Sequence, residues 1–169
     1  MKRIFCFLLV IITVNSYAQT KATLQASGLT CAMCSKAVYK ALSAVPFVDK
    51  VSPNIELSTY ELNFKPDTKI DFDALSKAVV NAGFSVSMLK VTTPFSNVKV
   101  QNDAHVVVND QSFHFLNVTP QTLNGNKTIV LIDKNFVSAK AFKKYDKLTA
   151  MKCMESGVMD GQRVYHATL

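Results

Sequence analysis

Two cysteines separated by two residues, Cys31 and Cys34, are the side chains in this sequence best suited to chemistry. As thiolates they are soft ligands and select soft ions. They lie in Gly28-Leu29-Thr30-Cys31-Ala32-Met33-Cys34, between an alternating segment and a helical one. Two thiols three positions apart at a helix start can converge on one point. The partial positive charge of the helix N-terminus lowers their pKa and favours thiolate. A tetrahedral zinc site wants four protein ligands, and no second ligand pair lies nearby in the sequence. Two thiolates alone suit a low-coordinate ion such as Cu(I) or Hg(II). Disulfide oxidoreductases also place CxxC at a helix start. This chain, however, has no Trp, and no thioredoxin-like βαβ pattern precedes Cys31.

The elements that must position this pair follow from periodicity. Ala22, Leu24 and Ala26 alternate with Thr23, Gln25 and Ser27, the pattern of a half-buried strand. From Cys34 to Val45 the period becomes helical, with Ala37, Val38, Ala41, Leu42 and Val45 on one stripe, and Pro46 ends it. Val51, Ile55 and Leu57 share one parity, and Tyr60, Leu62 and Phe64 the other, which predicts a hairpin turn at Ser58-Thr59. A second helix is expected from Asp71 as N-cap to Asn81, with Gly83 as its stop, and a last strand over 84–91. The order strand, helix, strand, strand, helix, strand is the ferredoxin-like arrangement, an α+β fold.

Thr92-Thr93-Pro94 reads as the start of a linker over residues 92–97, which separates residues 20–91 from a small β-rich unit over 98–169. In that unit, strands over 98–108 and 111–118 flank an Asn109-Asp110 turn. A second turn is expected at Leu123-Asn124-Gly125-Asn126, a third at Asp133-Lys134-Asn135, a helix over 138–148 and a final strand over 162–169. Short strands with one helix suggest an OB-like barrel. Met151, Cys153 and Met154, with Met159 and His166 close behind, form a crowd of soft ligands that could take a second Cu(I). Buried Met and Cys are more often core residues. His105 and His114 lie on expected strands without ligand spacing and are read as core or surface residues.

The N-terminus has Lys2 and Arg3, an apolar run from Ile4 to Val14, and small residues at Ser16 and Ala18. This is the pattern of a secretory signal peptide over residues 1–18. The apolar run is about half of the ~20 residues that span a bilayer, so no stable membrane insertion is expected after cleavage. The product is expected to be exported, periplasmic or secreted. About 150 residues remain, enough for one domain or two small ones. The net charge of +7 is spread along the chain without aromatic-basic interleaving, so no nucleic-acid partner is expected. No catalytic constellation is visible, and the chain is not expected to be an enzyme.

The segment from Ala22 to Val91 resembles the heavy-metal-associated domain family. The resemblance rests on Gly28-Leu29-Thr30-Cys31-Ala32-Met33-Cys34, on the helix Ser35-Lys36-Ala37-Val38-Tyr39-Lys40-Ala41-Leu42 and on Ala82-Gly83-Phe84. Leu29 stands where the family usually has Met, a nearly volume-conserving exchange beneath the loop. The resemblance implies that Cys31 and Cys34 ligate a soft metal, Cu(I) first and Hg(II) as the alternative, while Phe84 shields the site. It also implies a metal-donor or metal-acceptor partner such as a copper transporter. A different class of function remains open, in which the fold serves only as a docking surface and binds no metal.

Overall fold

The computed structural model describes residues 19–169, so the expected signal peptide lies outside the described residues. The first half has the ferredoxin-like order: β1 (Lys21–Ser27), α1 (Ala32–Ser43), β2 (Val48–Asn54), β3 (Thr59–Phe64), α2 (Phe72–Asn81) and β4 (Ser85–Val100). The second half adds β5 (Ala104–Val108), β6 (Gln111–Phe115), β7 (Gln121–Leu131), α3 (Ala139–Asp146), α4 (Cys153–Ser156), the two-residue β8 (Val158–Met159) and β9 (Gln162–Thr168). The turn expected at Ser58-Thr59 lies over residues 55–58, with Thr59 already in β3, and the one expected at Asn109-Asp110 forms there; Ser58, Asn109 and Asp110 all have positive φ. At the second, Asn109 and Asp110 have φ of 49° and 59°, as a tight hairpin turn requires. Ile55 and Leu57, expected on the buried parity of a strand, instead lie in the turn before β3 and are exposed.

One sheet runs through both halves in the order β2-β3-β1-β4-β7-β9-β6-β5. The expected linker at 92–97 does not interrupt it, because these residues lie inside β4. Pro94 can sit there because β1 pairs with β4 only as far as Lys21 opposite Thr92, so past that point β4 has a neighbour on one side only. The expected turn at 123–126 is likewise part of β7, running opposite Phe95 and Val98. Turn-type residues are present there because the β4–β7 ladder shifts register between Phe95 and Val98. Asn97 takes φ 54° and its N–H donates to Asn124 Oδ1 at 2.7 Å. The OB-like barrel expected for 98–169 is not the arrangement found. Those strands extend the first sheet as an open array.

The core follows the same continuity. Leu24, Leu42, Tyr60, Leu62, Phe72, Leu75 and Leu89 from the first half pack in one cluster with Phe113, Phe115, Leu131 and Tyr165 from the second. Phe72 at the start of α2 meets Tyr165 edge-on at 5.2 Å. Beside them Arg163 reaches across with a bidentate bond to Asp73, at 2.6 and 3.0 Å, and one to Asp133 at 3.1 Å. A smaller cluster of Leu116, Ile132, Phe142 and Met154 packs separately. Among the described residues, no helix is long and apolar enough to cross a membrane.

Candidate metal centre

The loop between β1 and α1 is shaped by two backbone features. Gly28 has φ 87°, a left-handed conformation that a side chain would strain, and it lets the chain turn away at the end of β1. Cys31 is the N-cap of α1, extended at φ −156°, and its carbonyl accepts from the Ser35 N–H at 3.2 Å. Cys34 therefore falls in the first turn of the helix, directly over the cap. Below it the turn is fixed from the core. The buried Tyr60 hydroxyl donates to the Ser35 carbonyl at 3.1 Å, and Ser35 Oγ completes the pair with that hydroxyl at 3.0 Å. Leu29 is half-buried and packs on the main cluster, as expected for a residue beneath the loop.

This geometry brings Cys31 Sγ and Cys34 Sγ to 3.0 Å, with the Thr30 hydroxyl 3.9 Å from Cys34 Sγ. Cys31 is exposed and Cys34 half-buried, so the pair faces solvent on one side. The Cys34 thiol is lowered to about 7, first by its hydrogen bond with Cys31 and then by the Thr30 backbone. No acidic residue occupies the first turn of α1 to oppose a thiolate there. Phe84, in the loop between α2 and β4, is half-buried beside Gly28, where a Cβ would stand 3.8 Å from its ring. Met33, between the cysteines, is 72% exposed and so is not tied into the core.

Residues 23–85 match the heavy-metal-associated domain family. Over 90 residues the chain is 38% identical to the mercuric transport protein periplasmic component of Shigella flexneri, covering 52% of this chain and 98% of that protein. The chain belongs to the heavy-metal-associated domain family. Similar solved structures include oxidized MerP from Ralstonia metallidurans CH34, 36% identical, with 40% of this chain and 94% of that one aligned at a TM-score of 0.37. Another is the N-terminal domain of a potential copper-translocating P-type ATPase from Bacillus subtilis in its Cu(I)-loaded state, 26% identical, with 40% and 84% aligned at 0.36. The family match ends at residue 85, so β5 to β9 lie beyond it.

The other soft-ligand group expected from the sequence does not assemble. Met154 is buried with Leu116, Ile132 and Phe142, and Met151 is exposed. Cys153 is buried, but its sulfur faces two histidines: His105 Nε2 at 3.5 Å and His114 Nδ1 at 3.6 Å. Reading His105 and His114 as isolated residues missed this. The signal was available, because a two-residue turn at Asn109-Asp110 puts His105 opposite His114 in a hairpin.

Proposed function

We propose that this protein is an exported carrier of one soft metal ion, Cu(I), held between the thiolates of Cys31 and Cys34. The observation that carries this reading is the convergence of two sulfurs, 3.0 Å apart, on an unopposed helix N-terminus with one of them exposed. A thiolate pair of this kind more than offsets the charge of a monovalent soft ion and leaves its coordination sphere open. An incoming thiolate from a donor or acceptor protein, such as a copper transporter, can then add before either protein ligand leaves. The Cys34 value near 7 keeps a substantial thiolate fraction at neutral pH, which supports fast ligand exchange. The rigid Tyr60–Ser35 support keeps the first turn in place while ligands change. The role is carriage rather than catalysis. Placement in the periplasm is supported by the signal-like N-terminus and by the relative in Shigella flexneri.

A second ion, Hg(II), is favoured by that relative's name as a mercuric transport component. Two thiolates at this spacing also suit it. The two readings are separated by metal analysis of the protein isolated from its native compartment, together with competition between Cu(I) and Hg(II) in cells. Copper at one equivalent, and copper-dependent occupancy, is the expected result. Mercury occupancy with no copper under mercury-limited growth would overturn the assignment of the ion. A protein with neither, whose reduced form binds no soft ion, would leave a docking surface as the function.

A further inference from the structure

Three histidines lie in one row across the added strands. His105 on β5 pairs with His114 on β6, and His114 pairs with His166 on the parallel β9. Directly paired residues share a face of the sheet. The neighbours at the alternate positions, Phe113, Phe115, Tyr165 and Ala167, go to the main core on the other face. The His105 and His114 rings stack at 4.3 Å, and His166 meets His114 edge-on at 5.2 Å. Cys153 comes down on this row from α4, with its sulfur 3.5 Å from His105 Nε2 and 3.6 Å from His114 Nδ1. The three donor atoms lie within 4.8 Å of one another.

Carboxylates beside the row fix the tautomers of His114 and His166. His114 Nε2 lies 2.9 Å from Asp103 Oδ1, so that nitrogen carries the proton and Nδ1 presents a lone pair to the sulfur. A carboxylate behind a ligating imidazole is the usual second support of a metal site. His166 Nδ1 donates to Asp133 Oδ1 at 3.0 Å, which leaves Nε2 bare. That atom is fully buried and has no hydrogen-bond partner among the described residues. The stacked His105 and His114 rings and the Cys153 sulfur thus turn their donor atoms toward one point.

We propose that His105 Nε2, His114 Nδ1 and Cys153 Sγ form a second metal site, separate from Cys31 and Cys34, that takes one Cu(I) ion. One thiolate and two imidazoles supply three donors and a single negative charge, which balances a monovalent ion. Two histidines and one cysteine in a trigonal set are a donor combination copper uses, whereas structural zinc takes four ligands. Loading replaces the Cys153 thiol proton with the ion and releases that proton to solvent, with no change in oxidation state. His105 is only half-buried and gives the ion its way in. This site does not depend on the reading of Cys31 and Cys34.

The test uses the chain lacking its signal segment and carrying Cys31→Ser and Cys34→Ser, titrated anaerobically with Cu(I) against a competing chelator. One equivalent bound is expected, and X-ray absorption should show one sulfur and two nitrogen scatterers. Loss of an outer-shell partner costs about 10–100-fold in affinity, so Asp103→Asn should fall in that range and Cys153→Ser should lose more. Should Cys153→Ser fail to fold by circular dichroism, the half-exposed His105→Gln provides the second arm, with a loss of more than about 10-fold expected. Absence of Cu(I) binding in the folded double variant would overturn the site, as would binding that survives both Cys153→Ser and His105→Gln. One equivalent of Zn(II) that Cu(I) fails to displace would overturn the choice of ion.

Discussion

Replacing Asp133 by Ala should be among the most damaging single changes in the second half of the sheet. Asp133 is 6% exposed, and its carboxylate accepts three hydrogen bonds. They come from Arg163 Nη1 at 3.1 Å, from His166 Nδ1 at 3.0 Å and from the His166 N–H at 3.0 Å. Arg163 keeps its bidentate bond to Asp73, so the guanidinium is not stranded. The two His166 donors are stranded, and each buried donor left without an acceptor costs about 1–3 kcal/mol. The expected destabilisation is therefore about 4 kcal/mol, or roughly 8–16 °C in Tm for a chain of this size. Asp133→Asn retains one acceptor oxygen and should cost about half as much, roughly 2 kcal/mol. Urea denaturation followed by far-ultraviolet circular dichroism gives both numbers. A loss below about 1 kcal/mol for Asp133→Ala would mean that the two His166 donors find other partners, and the argument for the buried network would fail.

The Cys34 thiol should alkylate with a midpoint near pH 7 in the reduced, metal-free protein, and Cys31→Ser should move that midpoint upward, because Cys31 is the largest cause of the shift. Since the folded value lies below the ordinary thiol value, the associated stability is present above the unfolded pKa and is lost as pH falls through about 7; a Cys34 midpoint near 9 would contradict this. Tyr60→Phe should cost about 1–2 kcal/mol by removing the partner of the buried Ser35 hydroxyl and the second bond to the Ser35 carbonyl, as denaturation would measure, with an effect indistinguishable from zero counting against the anchoring role. In an oxidising compartment the empty protein should carry a Cys31–Cys34 disulfide with Cys153 reduced, and mass mapping that found Cys153 bridged to either partner would contradict the separation of the two sites.

The first half of the fold was legible because its signals are local. The alternation of Ala22, Leu24 and Ala26, the Asp71 cap and the Gly28–Cys34 motif each announce an element within a few residues. Asp71 indeed accepts from the N–H groups of Asp73 and Ala74. The second half was misread where the same residue types do two jobs. Thr92-Thr93-Pro94 has linker composition, yet Thr93 is buried and its Oγ1 lies 2.8 Å from that of Thr20. Asn124-Gly125 reads as a turn but serves an irregular register inside β7. The Cys153 surroundings were hidden for a different reason. Pairing β6 with β9 in parallel joins positions 52 residues apart, His114 and His166, and no local pattern in the sequence specifies that partner.

The central claim is that Cys31 and Cys34 together hold one soft ion. It is tested most directly by anaerobic Cu(I) titration against a competing chelator on residues 19–169 carrying Cys153→Ser, which leaves Cys31 and Cys34 as the cysteines of the described residues. One equivalent bound by two sulfur ligands, lost when Cys31→Ser and Cys34→Ser are added, is the result this account predicts. Cu(I) affinity unchanged by removing both sulfurs would contradict it.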